Sequence, residues 1–479
     1  RIVGQNTSAL IVELNEESMV VDSELVNSAI VLDNLTFEGN KIDSNDESKT
    51  DPKEASKTDE NGDSKTDDNN FNTIEVRRGS LTLTNCSVET RSWDCVNLQP
   101  QSSLHAERCN FRSSTHPAIF AKQASELVVV DCDFDIRPLT LDSPLIPVGI
   151  QASQCGGLVQ RCTFDGSGAA KGIHWKESDQ RVSIEDATFQ NCESGIIAQA
   201  CGDIRVGGSK RTQFSGCLNG LFLDGCTAEI DDCDIASADG NIGIRVFDKV
   251  DLPQTPTVQL SNCSVSGYNM GLSIEHAHVA AQKLICEKSN TAGLSLVRQG
   301  LLKMDDSNIS SSKKFGLAIL DASANIVNCK ILENGYAGAY LDLGRAASSF
   351  TQCTFDQNYG GLMIVGGAAE LKQCVFTSNS LVGVLVASHE QLDQVSAAQV
   401  MPISLDIVGG QFQENEKGNL QVLVACQLAI HGWDDATSNE ALTPRIDGKL
   451  ESKQTGDVYD IFEKSGVKAM VNPAKTVVE

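Results

Sequence analysis

The sequence lacks any run of about 18 apolar residues, the minimum that a membrane-spanning helix requires, although 41% of its residues are hydrophobic. A membrane-spanning helix is therefore excluded within the chain. Aromatic residues make up only 5%, and 11 Pro stand beside 39 Gly. Basic residues are also few, with 38 Lys and Arg against 64 Asp and Glu and a net charge of −26. We do not expect a nucleic-acid partner, because phosphate backbones bind clustered Lys and Arg.

The N-terminal sequence leaves localisation open. Residue 1 is Arg rather than Met, and Arg1-Ile2-Val3-Gly4 has the pattern of the middle of a strand. We therefore expect an upstream signal peptide or fused domain to be missing, so that both a cytoplasmic and an exported protein are compatible with the chain. The acidic balance would also repel a polyanionic sugar, unless a local basic strip or bound Ca²⁺ offset the field.

The 17 Cys reveal an internal repeat, because most of them follow a polar residue and precede Phe, Val or Ile by two positions. We call the Cys position the anchor, and most anchors are 21–25 residues apart. Alternation along a strand places the anchor and the residue two after it on one face. The anchors are Leu35, Cys86, Cys109, Cys132, Cys162, Ala187, Thr212, Cys233, Cys263, Cys286, Ser307, Cys329, Cys353, Cys374 and Gly410.

Each repeat contains two further landmarks. Asn recurs five residues after several anchors and is expected to adopt the left-handed conformation of tight turns; the positions are Asn40, Asn334, Asn358, Asn379 and Asn415. A Gly followed by apolar-x-apolar then indicates a second short strand, as in Gly316-Leu317-Ala318-Ile319, and a third apolar point precedes the next anchor. Each unit is thus predicted to hold three short strands and three turns.

The anchor spacing of 21–25 residues is not accompanied by a helical periodicity. It therefore predicts an all-β parallel solenoid of about 15 coils whose strands stack on one another. The pattern resembles the right-handed parallel β-helix repeat of pectate-lyase-like proteins over about residues 28–425. It is especially similar to the cysteine-rich form in periplasmic copper-loading accessory proteins, mannuronan epimerases and β-helix modules of bacterial kinases and F-box proteins. The resemblance implies the fold and says little about function, because the residues that carry it face the interior.

Departures from the period locate the segments outside the repeat. Leu35 and Cys86 are separated by a charged, low-complexity stretch, and residues 43–70 are predicted to form a disordered insertion that the protein can lose without consequence for folding. The β-helix is predicted to occupy residues 1–435. Residues 436–479 are predicted to form a tail or cap that covers the open strand edge.

The Cys ladder favours free thiols that fill a narrow interior as small apolar groups. The chain has no Cys-x-x-Cys, and the anchors recur at an inward position. A disulfide between stacked coils, for example at Cys201 and Cys226, remains an alternative because the coil spacing is near the Cα separation of a disulfide. A mainly reduced protein is the favoured interpretation.

The outward positions of the strand after each Gly contain the candidate catalytic residues. The polar cluster in the middle comprises Lys176, Asp224, Arg245, Asp248, Glu275 and His276. If the protein is an enzyme, Asp224, Arg245 and Glu275 are the predicted acid, base and ion ligands, since polysaccharide lyases use carboxylates on Ca²⁺ with a basic residue. The favoured interpretation is a cross-strand ion-pair ladder without catalysis.

Other enzyme and metal signatures are absent or weak. The chain lacks the Asn-Thr-Asp, Gly-His-Gly and Arg-Ile-Lys motifs of polygalacturonases in the required context, and it lacks the Asp-Pro-His-Asp of mannuronan epimerases. Glu275-His276-Ala277-His278 has donors for a transition metal, but solvated surface is the favoured interpretation. No cofactor is predicted, except Ca²⁺ if the protein is a polysaccharide lyase.

An apolar stripe is predicted on the same outward face, where it is either covered by a loop or the tail or serves as a binding surface. Its members are Phe222, Phe247, Val297, Leu320, Tyr340, Met363, Val365 and Leu385. Together with His276, the residues Phe222, Phe247, Tyr340 and Met363 are the predicted binding residues. The favoured function is a non-catalytic scaffold or binding module for a protein or a polysaccharide. The alternatives are a carbohydrate-active enzyme (polysaccharide lyase, hydrolase or epimerase) and a sensor module of a larger protein.

Overall fold

A computed structural model of the chain describes 46 strands and the turns that join many of them. The described residues contain no helix, and therefore none long and apolar enough to cross a membrane. They are residues 2–5, 10–14, 19–23, 29–38, 74–90, 94–124, 126–138, 146–248, 257–387, 403–423, 426–431 and 468–472.

The strands belong to two compact units, one of residues 1–180 with 189–193 and one of residues 181–188 with 194–479. In both units a strand pairs in parallel with the equivalent strand of the next coil, as Leu104 does with Leu127 and Leu221 with Ile244. Each coil contributes one strand to each of three parallel sheets. We number these sheets from the anchor, so that the strand after the anchor belongs to sheet 1 and the strand with the Gly pattern to sheet 2.

The first unit begins with two antiparallel pairs, Ile2–Gln5 with Ala29–Asp33 and Leu10–Leu14 with Met19–Ser23. Its sheet 1 contains Thr36–Glu38, Ser87–Thr90, Asn110–Ser113, Asp133–Ile136 and Thr163–Asp165. The strand Thr188–Gln190 of sheet 1 is divided between the units, with Thr188 in the second. Its sheet 2 contains Ile74–Val76, Val96–Leu98, Ile119–Lys122, Val148–Ser153 and Lys171–Lys176. Its sheet 3 contains Ala29–Asp33, Gly79–Thr84, Ser102–Glu107, Glu126–Val130 and Gly157–Gln160.

The second unit repeats the pattern, and four of its strands run through a turn from one sheet into the next. These long strands are Cys233–Phe247 and Ser264–Glu275, from sheet 1 to sheet 2, and Ala337–Thr351 and Gly360–Lys372, from sheet 2 to sheet 3. The other strands of sheet 1 are Thr212–Ser215, Ile285–Glu287, Asn308–Ser310, Lys330–Leu332, Thr354–Asp356, Val375–Thr377 and Gln411–Gln413. Those of sheet 2 are Ser194–Gln199, Asn219–Asp224, Ala292–Val297, Phe315–Leu320, Val382–Val386 and Leu420–Val422. Those of sheet 3 are Val182–Glu185, Ile204–Gly207, Ala228–Asp231, Thr257–Ser261, His278–Gln282, Leu301–Asp305, Ser323–Val327, Ile403–Val408, Cys426–His431 and Lys468–Asn472.

The predicted fold class, an all-β right-handed parallel β-solenoid, is confirmed. The number of turns is about 13 rather than about 15. Thirteen intervals separate the 14 anchors from Cys86 to Gly410. The remaining interval, from Leu35 to Cys86, falls largely outside the described residues.

The interior is built from the anchor and the residue two positions later, as the repeat predicts. Cys109, Cys132 and Cys162 are all buried, which confirms the predicted inward column. The Phe side chains two residues after them stack face to face, with ring centroids 5.0 Å apart for Phe111–Phe134 and 4.5 Å for Phe134–Phe164. Every Cys whose side chain the structure describes is a free, buried thiol.

In the turns, the left-handed conformation is adopted by a residue other than the repeated Asn. The left-handed conformation falls on the residue before the repeated Asn, for example Glu333 and Gln357 with φ of 55°. Asn358, which follows Gln357, is fully buried and bonds its counterparts in the neighbouring coils. The expectation was wrong because a side-chain amide can also satisfy buried backbone groups, and this role leaves the left-handed position to the preceding residue. Asn40 lies outside the described residues.

The predicted insertion at residues 43–70 also lies outside the described residues. Of the predicted tail or cap at 436–479, the structure describes only the strand Lys468–Asn472, which pairs in parallel with Cys426–His431. The insertion and the cap therefore stay predictions.

A buried carboxyl in the first unit gives a pH-dependent prediction. Burial raises the pKa of Asp94 to about 7, although Asn97 donates a hydrogen bond of 3.3 Å to it. Since the unfolded pKa is about 3.9, the native state binds this proton more tightly, and stability is lost as the pH rises through the folded pKa. We expect Asp94→Asn to unfold at a higher temperature than the wild type near pH 8, with no advantage near pH 4. Thermal scans at the two pH values check this, and an equal difference at both would contradict it.

Candidate functional site

The outward face of sheet 2 in the second unit brings most of the predicted site residues together. Phe222 is in register with Arg245, and Asp224 with Phe247. On the next strand Glu275 is in register with Phe247. Parallel register therefore places aromatic, basic and acidic side chains on three successive coils, as the sequence spacing predicts.

Arg245 contacts both phenylalanines of this face. Its guanidinium carbon lies 5.3 Å from the centroid of the Phe222 ring and 4.8 Å from that of Phe247. The two rings meet edge to face, with centroids 4.9 Å apart. Cation–π contacts of this kind hold a guanidinium in a fixed position while its edge remains able to donate hydrogen bonds.

The carboxylate of Glu275 pairs with two arginines. Arg245 Nη2 lies 3.6 Å from Oε2, and Arg298 Nη1 pairs with Oε1. The predicted ion pair between Arg245 and Glu275 is thus present. Two guanidiniums thus face the one carboxylate of Glu275.

Asp224 and Asp248 are buried beside this cluster. Asp224 is only 6% exposed, and its Oδ2 accepts a hydrogen bond of 3.3 Å from Gln199 Nε2. The backbone N–H of Asp248 donates to the carbonyl of Glu275 at 3.1 Å. Lys176, which the sequence groups with these residues, belongs to the first unit and lies at the end of a sheet 2 strand there.

His276 occupies the turn that follows the strand Ser264–Glu275. It has a left-handed φ of 51° and is partly exposed. Ala277 is buried, and His278 begins the next strand of sheet 3. Among the residues that the structure describes, no group of three His, Cys, Asp or Glu side chains could hold a metal ion.

The apolar stripe is exposed only in part. Phe222 and Phe247 are partly exposed and Leu320 is exposed, whereas Tyr340 is 5% and Met363 1% exposed. Burial also raises the pKa of Tyr340 to about 12. Of the two alternatives for the stripe, burial of four members, Tyr340, Met363, Val365 and Leu385, agrees with a covered surface at these positions.

These buried members pack into a small apolar cluster outside the main core. Phe315, Tyr336, Leu381 and Leu423 pack against the cluster and are themselves partly buried. A bulge also shifts the register here, so that Asp342 pairs with Gly366 and not with Val365. The alternation of the strand predicts that these side chains point outward, but it does not show that turn residues fold back over them.

The sequence did not predict a shallow groove on the outward face of sheet 3. The groove has a volume of about 430 Å³ and is lined mainly by Ser and Ala. Glu370 and Asp406 lie in register on its floor, and His431 Nε2 is 3.6 Å from Asp406 Oδ1. The small residues of Ala346-Ala347-Ser348-Ser349 and Gly366-Gly367-Ala368-Ala369 are the sequence signal that could have located it.

The comparison with protein families agrees with this architecture. Residues 219–396 match the model of the family described as "Right handed beta helix region". The predicted recognition, a right-handed parallel β-helix repeat protein with cysteine-rich coils, is confirmed. No curated protein sequence is significantly similar to this chain.

Solved structures share only low similarity with the chain. The periplasmic alginate epimerase AlgG is 11% identical over 85% of both chains, with a TM-score of 0.38. The A-module of the Azotobacter vinelandii mannuronan C-5 epimerase AlgE6 is 12% identical over 76% of this chain and 91% of its own, with a TM-score of 0.42. Tailspike protein 3 of bacteriophage CBA120 is 11% identical over 76% of this chain and 55% of its own, with a TM-score of 0.37. Similarity at this level carries no functional argument.

Proposed function

We propose that the chain is a non-catalytic β-helix binding module that recognises a protein or a carbohydrate along the outward face of sheet 2. The observation that carries the proposal is the pairing of Glu275 with both Arg245 and Arg298. A general acid or base must reach the proton that it transfers. Both carboxylate oxygens of Glu275 are engaged by guanidiniums, and Asp224 is buried, so neither residue is available for that role.

The same face has the properties of a recognition surface. Phe222 and Phe247 are partly exposed, and Arg245 lies against both rings. Aromatic and arginine side chains contribute most of the energy of many interfaces. Aromatic rings offer large contact areas with few rotatable bonds, and an arginine held against such rings is already ordered. His276 extends this surface at the following turn. Among the predicted binding residues, Phe222, Phe247 and His276 are partly exposed and support the proposal.

The sheet 3 groove favours a second candidate function, a carbohydrate-active enzyme. Glu370 and Asp406 stand on adjacent strands, and His431 lies beside Asp406. A pair of carboxylates is a common element of sugar chemistry. However, Glu370 pairs with Lys372 at 2.8 Å and both acids are partly exposed. The cluster of Glu370, Asp406 and His431 is therefore weaker support for catalysis. The ion pairs of Glu275 on sheet 2 are stronger support for binding.

A screen for turnover tests the proposal. Pectin, alginate and neutral polysaccharides, each with and without Ca²⁺, should release no unsaturated or reducing ends when incubated with the full chain. If activity appears, substitutions on sheet 2 and in the sheet 3 groove show which of the two sites is responsible. If Glu275→Gln or Arg245→Lys abolishes it, the binding interpretation of sheet 2 fails. If Asp406→Asn abolishes it while Glu275→Gln does not, the groove is the active site and the second candidate replaces the first.

A further inference from the structure

We propose that the turns between sheets 1 and 2 of the second unit form a binding site for a neutral glycan, centred on Tyr336 and Tyr359. This site lies on other coils than Phe222, Arg245 and Phe247, the residues on which the proposed function rests. It adds a ligand class to the general binding function. The proposal is based on ring geometry, on a hydrogen-bonded scaffold directly beneath the rings and on the local balance of charge.

The two tyrosines form an aromatic platform, in which Tyr359 is exposed and Tyr336 is partly buried. Their rings lie nearly parallel, at 24°, with centroids 6.3 Å apart. Tyr359 is 43% exposed and is the only exposed Phe, Tyr or Trp side chain among the residues that the structure describes. Within that part of the chain, neither hydroxyl makes a hydrogen bond. The exposed ring of Tyr359 thus offers a surface on which a ligand can stack, and both hydroxyls can bond a ligand.

The platform is held in place from its apolar side. Phe315 meets the Tyr336 ring edge to face, with centroids 5.3 Å apart, and its other contact is the Tyr340 ring at 5.4 Å. Tyr340 belongs to the buried apolar cluster. The position of Tyr336 is therefore fixed by packing, which lowers the entropy that a ligand must offset on binding.

The backbone beneath the platform is equally ordered. The N–H of Tyr336 donates to the carbonyl of Lys314 at 2.7 Å, and the N–H of Leu381 donates to the carbonyl of Tyr359 at 2.6 Å. Each tyrosine lies one or two positions after a buried Asn of the interior ladder, at Asn334 and Asn358. In the two preceding coils, Ser replaces this Asn and neither of the next two residues is aromatic, at Ser289 and Ser312. The aromatic platform thus lies on two coils of the Asn ladder.

The charge of these turns favours an uncharged ligand. The turns at residues 311–314, 333–336, 357–359, 378–381 and 414–419 carry three lysines and three acids, so that positive and negative charges cancel; the residues are Lys313, Lys314, Lys417, Glu333, Glu414 and Glu416. A uronate polymer would meet no excess of positive charge here and would be repelled by the net charge of −26. A neutral sugar ring can stack its C–H face on a tyrosine ring, whose face carries negative charge density. Its hydroxyls can bond the phenol and lysine groups.

Native affinity electrophoresis of the full chain tests this site. The gels contain dextran, galactomannan, arabinoxylan or laminarin, with alginate and polygalacturonate as charged comparisons. We expect at least one neutral polysaccharide to retard the protein, and Tyr359→Ala to weaken that binding about tenfold. Tyr359→Phe should weaken it less, because the ring face remains. The matched control is Ile285→Ala, a residue that is also 43% exposed but lies on a sheet 1 strand.

The outcomes separate this site from the proposed function. Thermal unfolding of Tyr359→Ala and Ile285→Ala should match the wild type, so that a loss of binding reports contact rather than folding. The proposal is overturned if none of the four neutral polysaccharides retards the protein, if binding is confined to the uronates, or if Tyr359→Ala binds as the wild type does. Binding that depends on Phe247 and not on Tyr359 would assign the glycan to sheet 2 instead. The non-catalytic function fails only on turnover, which is measured separately.

Discussion

Met363→Asp is expected to destabilise the protein by about 5 kcal/mol, because it places a carboxylate at a position that is only 1% exposed. The change removes the packing of Met363 in the apolar cluster with Tyr340 and Leu385. It also leaves a charge buried without a partner, and such a charge costs several kcal/mol. The midpoint of urea unfolding, followed by circular dichroism, measures the effect.

The matched control is Ile285→Asp, at a side chain that is 43% exposed. Its neighbours in register, Ser264 and Asn308, carry no charge. We expect its midpoint to remain close to that of the wild type. If Met363→Asp were equally mild and a binding partner were lost instead, the outward stripe would be an interface and not a second core.

Asn358→Ala is expected to cost about 4 kcal/mol, one for each of the four hydrogen bonds that this side chain makes. Its Oδ1 accepts from the backbone N–H and the side-chain amide of Asn334, and its Nδ2 donates to the Ile331 carbonyl and to Asn379. The residue is fully buried, so water cannot replace these bonds. Urea unfolding again supplies the measurement.

Asn325→Ala is the control for the ladder. Asn325 lies on the outward face of sheet 3 and accepts one exposed hydrogen bond, from Ser349 at 3.2 Å. Its loss should change the midpoint little. Equal effects of the two substitutions would show that the interior amides contribute no more to stability than surface polar groups.

The repeat predicted the fold and the register of the site because both follow from alternation. A spacing of 21–25 residues and an anchor two positions before a Phe determine which side chains point inward. They also align Phe222 with Arg245, and Phe247 with Glu275, on neighbouring strands. Parallel pairing converts sequence spacing directly into neighbours in space.

Burial of the outward side chains could not be predicted in the same way. Tyr340 and Leu320 both lie at outward positions of sheet 2. Tyr340 is nevertheless buried, whereas Leu320 is exposed. The difference arises from Phe315 and Tyr336, which pack over the sheet near its first residues. Such contacts depend on the side chains of a few turn and strand-end residues, and these side chains do not recur in every coil.

The direction of the Asn ladder has a consequence for cooperativity. Each Asn donates a hydrogen bond from its Nδ2 to the Oδ1 of the Asn in the next coil, from Asn334 through Asn358 and Asn379 to Asn415. The amide dipoles are therefore aligned head to tail, and each bond polarises the next. Four coils should then open together: hydrogen exchange at their turn amides should occur in one concerted event, while the coil with Ser289 exchanges independently of it.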